Sequence, residues 1–288
     1  MMSTKFLVKP YRRSFCRPLI TSRGAWAQRE GFLLRMESED GIGYGEVAPI
    51  PSFGSETIDA AEDFLRTITI DGEEVPPANL PACAFALSAA SQSIHRGGPK
   101  QKEYAICALL PAGAAVLQEA EKKIEQGYET FKWKIGVESL NIELKQARDL
   151  FDLLPKGASL RLDANAALVP PALDSWLELL GEFSSQVDFL EQPLTCGQEP
   201  LMADAMQNTG IPIALDESLN GANAGHWLEP GAWAGPLVVK APIMGDVEWL
   251  SSRLKPLAGQ LVLSSVFETG VGMESVFRLA DTLPEVDR

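Results

Sequence analysis

The sequence predicts an α/β protein in which a (β/α) barrel, residues 101–288, follows a small α+β capping domain, residues 1–100. Three observations predict this fold class. The first part of the chain contains alternating, turn-rich segments, the second part alternates short apolar runs with helical patterns, and charged residues recur at the ends of those runs. A chain of 288 residues is long enough for a barrel with one small added domain.

Composition and charge exclude several classes of protein. With 45% hydrophobic and 22% charged residues, the composition is that of a globular protein. The net charge of -14 would repel nucleic acid and anionic membranes, so we expect no nucleic-acid partner. We expect no membrane insertion and a cytoplasmic location, because no run approaches the roughly 20 apolar residues of a membrane span and the first residues lack the apolar core of a signal peptide. The four cysteines form no CxxC pair, which disfavours disulfides and a zinc site.

The capping domain begins with strand patterns and ends with helical ones. Alternation over residues 31–47 predicts strands, and residues 56–68 and 82–94 predict two helices. The turn-forming residues 96–100 then mark the expected junction with the barrel.

Seven apolar runs predict the parallel strands of the barrel. They occupy residues 104–110, 130–135, 159–165, 187–193, 212–217, 237–242 and 261–267. A barrel of this type needs an eighth strand, so the last strand is expected to be missing or shortened, leaving an open edge between the first and last strands.

Helical patterns separate these runs. Apolar stripes at helical spacing predict helices at residues 140–154, 172–180 and 199–209, with a further helix at about 271–282. The second and third of these helices are expected to end before Gly181 and Gly210, because glycine commonly follows the end of a helix.

Five charged residues fall at the ends of consecutive strand runs. They are Lys134, Asp163, Glu191, Asp216 and Lys240, spaced 24 to 29 residues apart. Because one β/α unit takes about 30 residues, such positions recur around the barrel and converge at its C-terminal mouth, where barrel active sites lie. A single acid at a strand end is more often a solvated terminus or a helix cap, but five in register favour a site.

The three acids predict a metal site. Asp163, Glu191 and Asp216 would repel one another when brought together in a buried place, so they require a cation. Ligation by oxygen alone favours Mg²⁺, with Mn²⁺ as a substitute.

The lysines predict proton transfer. Lys132 and Lys134 lie two residues apart on one strand and therefore share a face, with Trp133 directed to the outer layer. Crowding of two ammonium groups lowers the pKa of one lysine toward the range useful for a base; alternatively, both lysines only balance the carboxylates. With Lys240 on the far side, the set suits removal of a proton next to a carboxylate.

These motifs resemble the enolase superfamily and, within it, the lysine-dependent muconate-lactonizing subgroup. The matching segments are KWK at 132–134, RLDAN at 161–165, LEQP at 190–193, LDES at 215–218 and VVK at 238–240. The branch that uses a histidine base is disfavoured, because neither His95 nor His226 follows a strand run. Residues 17–57 and 263–272 are similar to the o-succinylbenzoate synthase family, and the superfamily fold is a modified TIM barrel.

The resemblance implies a role for each matched residue. Lys134 would take a proton from a cyclohexadiene carboxylate and then protonate the departing hydroxyl, Lys240 would be a cation on the opposite face, and Lys132 would support the enolate charge and lower the pKa of Lys134. The implied metal ligands are Asp163, Glu191 and Asp216. The implied reaction is the dehydration of 2-succinyl-6-hydroxy-2,4-cyclohexadiene-1-carboxylate to o-succinylbenzoate in menaquinone and phylloquinone biosynthesis.

Further residues are candidates for supporting roles. The candidate substrate contacts are Arg161, Asn165, Ser264 and Ser265. Glu217 is expected to pair with a neighbouring lysine, and loops 21–26 and 49–56 are expected to close over the mouth. Ordinary hydrogen bonding at the barrel rim is the alternative for the four substrate contacts, and plain turns are the alternative for the two loops.

Two other functions stay open. Two lysines flanking one carbon would also serve an N-acylamino acid racemase or a dipeptide epimerase of the same subgroup. A protein of a different class would bind a metal and a small carboxylate without turning it over. The partner in every case is a small-molecule carboxylate, and the sequence leaves monomer and homo-oligomer equally open.

Overall fold

The structure, a computed structural model, describes residues 4–21, 24–71, 75–96, 100, 103–220 and 224–284. Three expectations fall partly outside these residues. They concern positions 22–23 of the first covering loop, positions 97–99 of the expected junction, and positions 285–288, where the last strand is expected to be missing or shortened. Within the described ranges, no helix is both long and apolar enough to cross a membrane. The four cysteines are free thiols.

The chain begins with an antiparallel sheet covered by two helices. The strands β1 (Lys5–Thr21), β2 (Gly24–Ser38) and β3 (Gly41–Val47) lie in the order β1-β2-β3. Helices α1 (Ile58–Asp71) and α2 (Pro81–Arg96) follow. The strands and both helices predicted for this region are confirmed.

Two glycines allow β3 to lie directly against α2. A Cβ atom at Gly43 would lie 1.9 Å from the carbonyl oxygen of Ala90, and one at Gly45 would lie 2.1 Å from that of Ala86. No larger residue fits at these positions, so the strand and the helix touch through their backbones. The apolar core between them also includes Val266 from the later part of the chain, which joins the two parts.

The later part forms seven short strands, separated and followed by helices. The strands are β4 (Ala108–Leu110), β5 (Thr130–Lys134), β6 (Ser159–Asp163), β7 (Val187–Glu191), β8 (Ile213–Ala214), β9 (Leu237–Val239) and β10 (Leu261–Leu263). The helices are α3 (Val116–Glu125), α4 (Leu140–Leu153), α5 (Pro170–Glu182), α6 (Glu199–Thr209), α7 (Ala224–Trp227), α8 (Val247–Leu254) and α9 (Gly270–Ala280).

All pairs between these strands are parallel. Strands β4 to β8 pair in chain order, β9 pairs with β10, and a single bridge between Leu215 and Leu237 links the two sets. Within the described residues, β4 pairs with β5 alone and β10 with β9 alone. The predicted fold class, a (β/α) barrel with a small α+β domain, is confirmed.

The strands separate an outer layer from an inner one. Trp133 is fully buried between β5 and the helices, where its ring meets that of Trp176 edge to face at 6.1 Å, so its predicted outward direction is confirmed. A small apolar cluster shared by neighbouring strands comprises Phe189, Ala214, Val238 and Val262. Phe189, Ala214 and Val238 lie two positions before Glu191, Asp216 and Lys240, so the cluster fills the barrel interior below the site.

The predicted C-terminal ends of two helices, before Gly181 and before Gly210, have different outcomes in the structure. Helix α6 ends at Thr209 and is followed by Gly210 in the left-handed conformation (φ 72°), as predicted. Helix α5 does not end before Gly181, and that prediction is wrong. The helix continues through Gly181, which does not adopt positive φ, to Glu182, whose exposed carboxylate accepts hydrogen bonds of 2.5 and 2.7 Å from Arg148 of α4. A glycine inside a helix costs only about 1 kcal/mol relative to alanine, so it need not end the helix.

Candidate active site

The charged residues predicted from the spacing lie together at the C-terminal ends of the strands. Lys134, Asp163 and Glu191 are the last residues of β5, β6 and β7, and the register places Asp163 opposite both of the others. Asp216 lies two residues after β8, and Lys240 directly follows β9. Because the strands are parallel, all five side chains reach the same end of the barrel.

Lys132 lies between two of the predicted metal ligands. Its Nζ atom is 2.6 Å from Oε1 of Glu191 and 2.9 Å from Oδ2 of Asp163. Burial by itself lowers the pKa of this lysine, but the charges of Asp163 and Glu191 outweigh burial and raise the pKa above its usual value. Lys132 therefore stays a cation within the carboxylate group.

Lys134 faces a polar residue from the neighbouring loop. Its Nζ atom donates to Oδ1 of Asn165, and the amide nitrogen of Asn165 donates to Oε1 of Glu217 at 3.2 Å. Asn165 itself has left-handed backbone (φ 44°), which its short polar side chain tolerates, and its backbone N–H donates to Oδ1 of Asp163 at 3.1 Å. The loop after β6 thus connects Lys134 with the acids.

Lys240 approaches from the other side. It forms a buried ion pair with Asp216, and its ammonium group lies 4.4 Å from the centre of the Phe53 ring, in cation–π contact. Phe53 belongs to the capping domain. Lys240 is therefore held between a barrel carboxylate and a residue of the cap.

Glu217 does not pair with a lysine, so that expectation is wrong. Among the described residues, no lysine forms an ion pair with it, because Lys132 and Lys240 are paired with other acids and Lys134 donates to Asn165. Burial, followed by the charge of Asp216, raises the pKa of Glu217 to about 7. Its Oε1 atom accepts a hydrogen bond from the side chain of Asn165 instead.

The acids at the strand ends do not share one protonation state. Burial raises the pKa of Asp163, but the nearby lysines, Lys132 first, outweigh burial and hold the pKa below its usual value. Burial, followed by the charge of Asp163, raises the pKa of Glu191 to about 8. The lysines are therefore not enough to keep every acid of the group ionised near neutral pH.

Several buried carboxylate oxygens in this group lack partners. Oε2 of Glu191, Oδ2 of Asp216 and Oε2 of Glu217 have no hydrogen-bond partner among the described residues. In the part of the chain that the structure describes, no group of three His, Cys, Asp or Glu side chains is arranged so that it could hold a metal ion. Here lysine ammonium groups supply the positive charge. The unpartnered oxygens of Glu191 and Asp216 nevertheless suit a hard divalent cation, which takes oxygen ligands.

Arg161 lies one step deeper in the barrel than the acids. Its Nε atom donates to Oδ2 of Asp188 at 2.7 Å, and its guanidinium lies 5.0 Å from the centre of the Phe189 ring. The register between β6 and β7 shifts at this point, so Asp188 is an extra residue whose side chain is redirected toward Arg161. Arg161 supports the floor of the site and does not line its cavity.

The two serines after β10 are also outside the cavity wall. The backbone N–H of Ser264 donates to the carbonyl of Val239 at 2.9 Å. Ser265 is exposed, and its hydroxyl donates to Glu268 at 2.8 Å and accepts from the N–H of Phe267 at 2.9 Å. Of the four predicted substrate contacts, Asn165 lines the cavity, whereas Arg161 and Ser265 bond to the neighbouring acids Asp188 and Glu268.

A cavity of about 440 Å³ lies between the barrel mouth and the capping domain. The barrel contributes Lys134, Asn165 and Glu217. The capping domain contributes residues of β2, of the segment after β3 that was expected to cover the mouth, and the first residue of α1: Ala25, Trp26, Gln28, Arg29, Glu30, Pro49, Ile50, Pro51, Ser52, Phe53 and Ile58. Ala25 and Trp26, expected in the first covering loop, belong to β2. The cavity thus has a polar floor and a largely apolar roof.

Two charged residues that attach the cap to the barrel were not predicted. Arg29 is buried and donates to the carbonyls of Ala48, Pro49 and Val266, at 2.5, 2.8 and 3.0 Å. The sequence carries no motif for this arrangement, because all of these acceptors are backbone atoms.

Glu46 is the second unpredicted residue. Its carboxylate accepts from the backbone N–H groups of Thr269 (2.8 and 2.9 Å) and Gly272 (2.9 Å) at the start of α9. It also accepts from the hydroxyls of Thr269 and Tyr11, each at 2.5 Å. A carboxylate at a helix N-terminus satisfies free N–H groups and the positive end of the helix dipole.

Comparison with known proteins agrees with this architecture. Residues 10–94 match the family described as "MenC, N-terminal domain", and residues 115–233 match the family described as "Enolase C-terminal domain-like". The o-succinylbenzoate synthase of Thermosynechococcus vestitus is 36% identical over 283 residues, which cover 94% of this chain and 87% of that protein. The enzyme of the same name from Klebsiella pneumoniae is 28% identical, covering 90% of this chain and 83% of that protein.

Solved structures also show similarity to an o-succinylbenzoate synthase. The o-succinylbenzoate synthase of Thermosynechococcus elongatus, complexed with Mg in its active site, superposes with a TM-score of 0.86 at 34% identity, covering 96% of this chain and 89% of that one. The L-Ala-D/L-Glu epimerase of Bacillus subtilis has a TM-score of 0.83 at 16% identity, covering 100% of this chain and 89% of that one, and shows the fold alone. This chain belongs to the o-succinylbenzoate synthase family of the enolase superfamily.

Proposed function

We propose that this protein is a lyase that dehydrates 2-succinyl-6-hydroxy-2,4-cyclohexadiene-1-carboxylate to o-succinylbenzoate, in menaquinone or phylloquinone biosynthesis in the cytoplasm. One observation carries the proposal: Lys134 lies in the wall of a cavity, and the roof of this cavity is the capping domain, which matches the N-terminal domain of this family. The substrate is a small carboxylate, which suits a pocket with lysines beside its floor.

Lys134 transfers a proton in two successive steps. As a neutral amine it takes the proton from the ring carbon that bears the carboxylate, and it becomes an ammonium group. It then gives that proton to the hydroxyl leaving the adjacent carbon, so water departs, a new ring double bond forms and the ring becomes aromatic. The hydrogen bond to Asn165 holds the amine in place between the two steps.

The other lysines contribute charge. Lys240 is a cation on the opposite side of the site, held by Asp216 and Phe53. Lys132 remains protonated and adds positive charge beneath the substrate carboxylate, where negative charge develops in an enediolate. In this proposal the roof of the cavity excludes water, and Arg161, Ser264 and Ser265 make no substrate contact.

Asp163, Glu191 and Asp216 would hold the divalent cation. The relative from Thermosynechococcus elongatus contains Mg in its active site, which supports Mg²⁺ here, with Mn²⁺ as a second hard ion. When bound, the cation supplies positive charge that stabilises negative charge on the carboxylate of the substrate. The unpartnered oxygens of Glu191 and Asp216 support this assignment.

An assay with two substrate classes tests the reaction. With Mg²⁺ present, we expect rapid dehydration of the cyclohexadiene substrate and slow or no racemisation of N-succinyl amino acids and dipeptides. The racemase is the second candidate, because Lys134 and Lys240 approach the site from two sides. Racemisation without dehydration would overturn the proposal, and turnover of neither class would favour a non-catalytic binding protein.

Replacement of one acid tests the metal site. Asp216→Asn keeps the shape of the side chain but removes its charge, so we expect Mg²⁺ affinity to fall by a factor of about 100 or more, measured by calorimetry on the metal-free protein. Asp174→Asn on the exposed surface of α5 is the control and should bind Mg²⁺ normally. Equal Mg²⁺ affinity in the two variants would argue against the three-carboxylate site.

A further inference from the structure

Gln192, the residue directly after Glu191, lies at the centre of the loops that carry the three acids. Its side chain is fully buried, and its backbone has positive φ (35°), a conformation that is unfavourable for a residue with a side chain. Such strain persists only where the surroundings enforce it, and it is concentrated at functional sites. The contacts of Gln192 must therefore hold its backbone in this conformation.

The backbone of Gln192 links the strands on both sides. Its N–H donates to the carbonyl of Ala214 in β8 at 2.8 Å, and its carbonyl accepts from the N–H of Ala166 at 2.7 Å, in the loop that follows Asp163. One residue thus bonds to the chain segments that carry the other two acids. A shift of Gln192 would displace all three strand ends.

The side-chain amide of Gln192 makes four further hydrogen bonds. Its Oε1 accepts from the backbone N–H of Asp216 at 3.0 Å and of Ser218 at 3.2 Å. Its Nε2 donates to the carbonyl of Leu194 at 3.0 Å and to the hydroxyl of Ser218 at 2.9 Å. An amide has two lone pairs and two N–H groups, so its hydrogen-bonding capacity is fully used.

This network is anchored on the helix behind it. The hydroxyl of Ser218 donates to Oε1 of the buried Glu199 at 2.6 Å, and Oε2 of Glu199 accepts from the N–H of Gly197 at 2.8 Å. Glu199 is the first residue of α6. The loop after Asp216 is therefore fixed both to the strand of Glu191 and to a helix of the outer layer.

We propose that Gln192 is a positioning residue that fixes the carboxylates of Glu191 and Asp216 relative to each other and thereby sets the affinity for the divalent cation. Both acids have an unpartnered buried oxygen, and a hard cation with short, directional oxygen bonds is sensitive to their separation. A neutral amide is required, because a carboxylate at this position could not donate to Leu194 and Ser218. This inference rests on the proposed metal site.

The test replaces glutamine by methionine at two ends of the same strand. Gln192→Met keeps the length and volume of the side chain and removes its hydrogen bonds. Gln186→Met, at the residue just before β7, removes the bond of 3.2 Å to the carbonyl of Phe151 and is the matched control. Calorimetry on the metal-free protein measures the Mg²⁺ dissociation constant of each, and thermal unfolding measures its stability.

We expect Gln192→Met to weaken Mg²⁺ binding by about tenfold to a hundredfold, as for other residues that orient metal ligands, and Gln186→Met to stay within about twofold of wild type. A merely structural role would lower the melting temperature of both variants without separating their Mg²⁺ affinities. Activity of Gln192→Met should recover in part at high Mg²⁺ concentration.

The outcomes separate this inference from the proposed function. If the unchanged protein binds Mg²⁺ and Gln192→Met binds it equally well, the role of Gln192 is overturned and the metal site stands. If the unchanged protein binds no Mg²⁺, both are overturned. Should Gln192→Met fail to fold, Ser218→Ala decides, because it removes only the hydroxyl between Gln192 and Glu199; about a threefold or larger loss of affinity supports the proposal and an unchanged affinity contradicts it.

Discussion

The two sides of the barrel mouth are held in place by different parts of the molecule. On one side, β5, β6 and β7 pair along most of their lengths, and the ladder itself places Lys134, Asp163 and Glu191 next to one another. On the other side, β9 and β10 pair over three residues, and one bridge connects them to the chain after β8. The sheet alone orders the first side, β5 to β7, which we call the ladder side. It leaves the second side, β9 and β10 with the loops that follow them, weakly connected; we call this the cap side.

The capping domain supplies what the second side lacks. The loop after β10 is bonded by Arg29 to its Val266 carbonyl and by Glu46 to the start of α9. The rings of Phe15, Trp26 and Phe267 also meet edge to face, with centres 5.2 to 5.4 Å apart. The difference teaches that Lys134, Asp163 and Glu191 sit on the barrel's own ladder, whereas the wall that closes the cavity depends on the cap.

The largest effect is expected on the ladder side, from Lys134→Ala. Loss of the group that both removes and returns the proton should lower the dehydration rate by about a thousandfold or more, with Mg²⁺ affinity near normal. Lys145→Ala, at an exposed lysine of α4, is the control for a lost positive charge. Steady-state kinetics and calorimetry measure the two properties, and an unchanged rate in Lys134→Ala would remove the assignment of the base.

The ladder side could be predicted from the sequence because its geometry follows from spacing. Residues one β/α unit apart at strand ends must meet at the mouth, and alternation along β5 places Lys132 and Lys134 inward with Trp133 outward. These placements need only the periodicity of the chain. Which oxygen each lysine contacts is set by rotamers, so the sequence could not predict that Lys132 lies between Asp163 and Glu191.

The cap side could not be predicted, because its contacts join residues more than 200 positions apart. Glu46 and Thr269 are separated by 223 positions, and Arg29 reaches a backbone carbonyl, which no motif records. A different limit applies to Glu217, whose expected lysine partner is wrong, and to Ser265, whose substrate contact stays a prediction. Their partners, Asn165 and Glu268, are set by local loop geometry that periodicity does not describe.

A smaller effect, confined to the cap side, is expected from Glu46→Gln. The amide cannot accept at both of its positions, so buried N–H or hydroxyl groups at the start of α9 lose a partner, and the free energy of unfolding should fall by about 1–3 kcal/mol. Chemical denaturation measures this change, with Glu39→Gln at an exposed turn of the same domain as the control. Mg²⁺ affinity should stay normal; a loss as large as in Asp216→Asn would mean that the two sides are not independent.

The smallest effect is a pH dependence of Mg²⁺ binding that belongs to the ladder side. Without metal, burial and the charge of Asp163 raise the pKa of Glu191 to about 8, so this carboxyl is mostly protonated at pH 7. A metal ligand must be ionised, so binding at pH 7 should release roughly one proton, and affinity should rise with pH until it levels off above the pKa. Calorimetry in two buffers of different ionisation enthalpy measures the release. Glu46→Gln should release the same number of protons as wild type, since the titrating group is on the other side of the mouth. Equal heats of Mg²⁺ binding in both buffers for the wild type would show that Glu191 is already ionised.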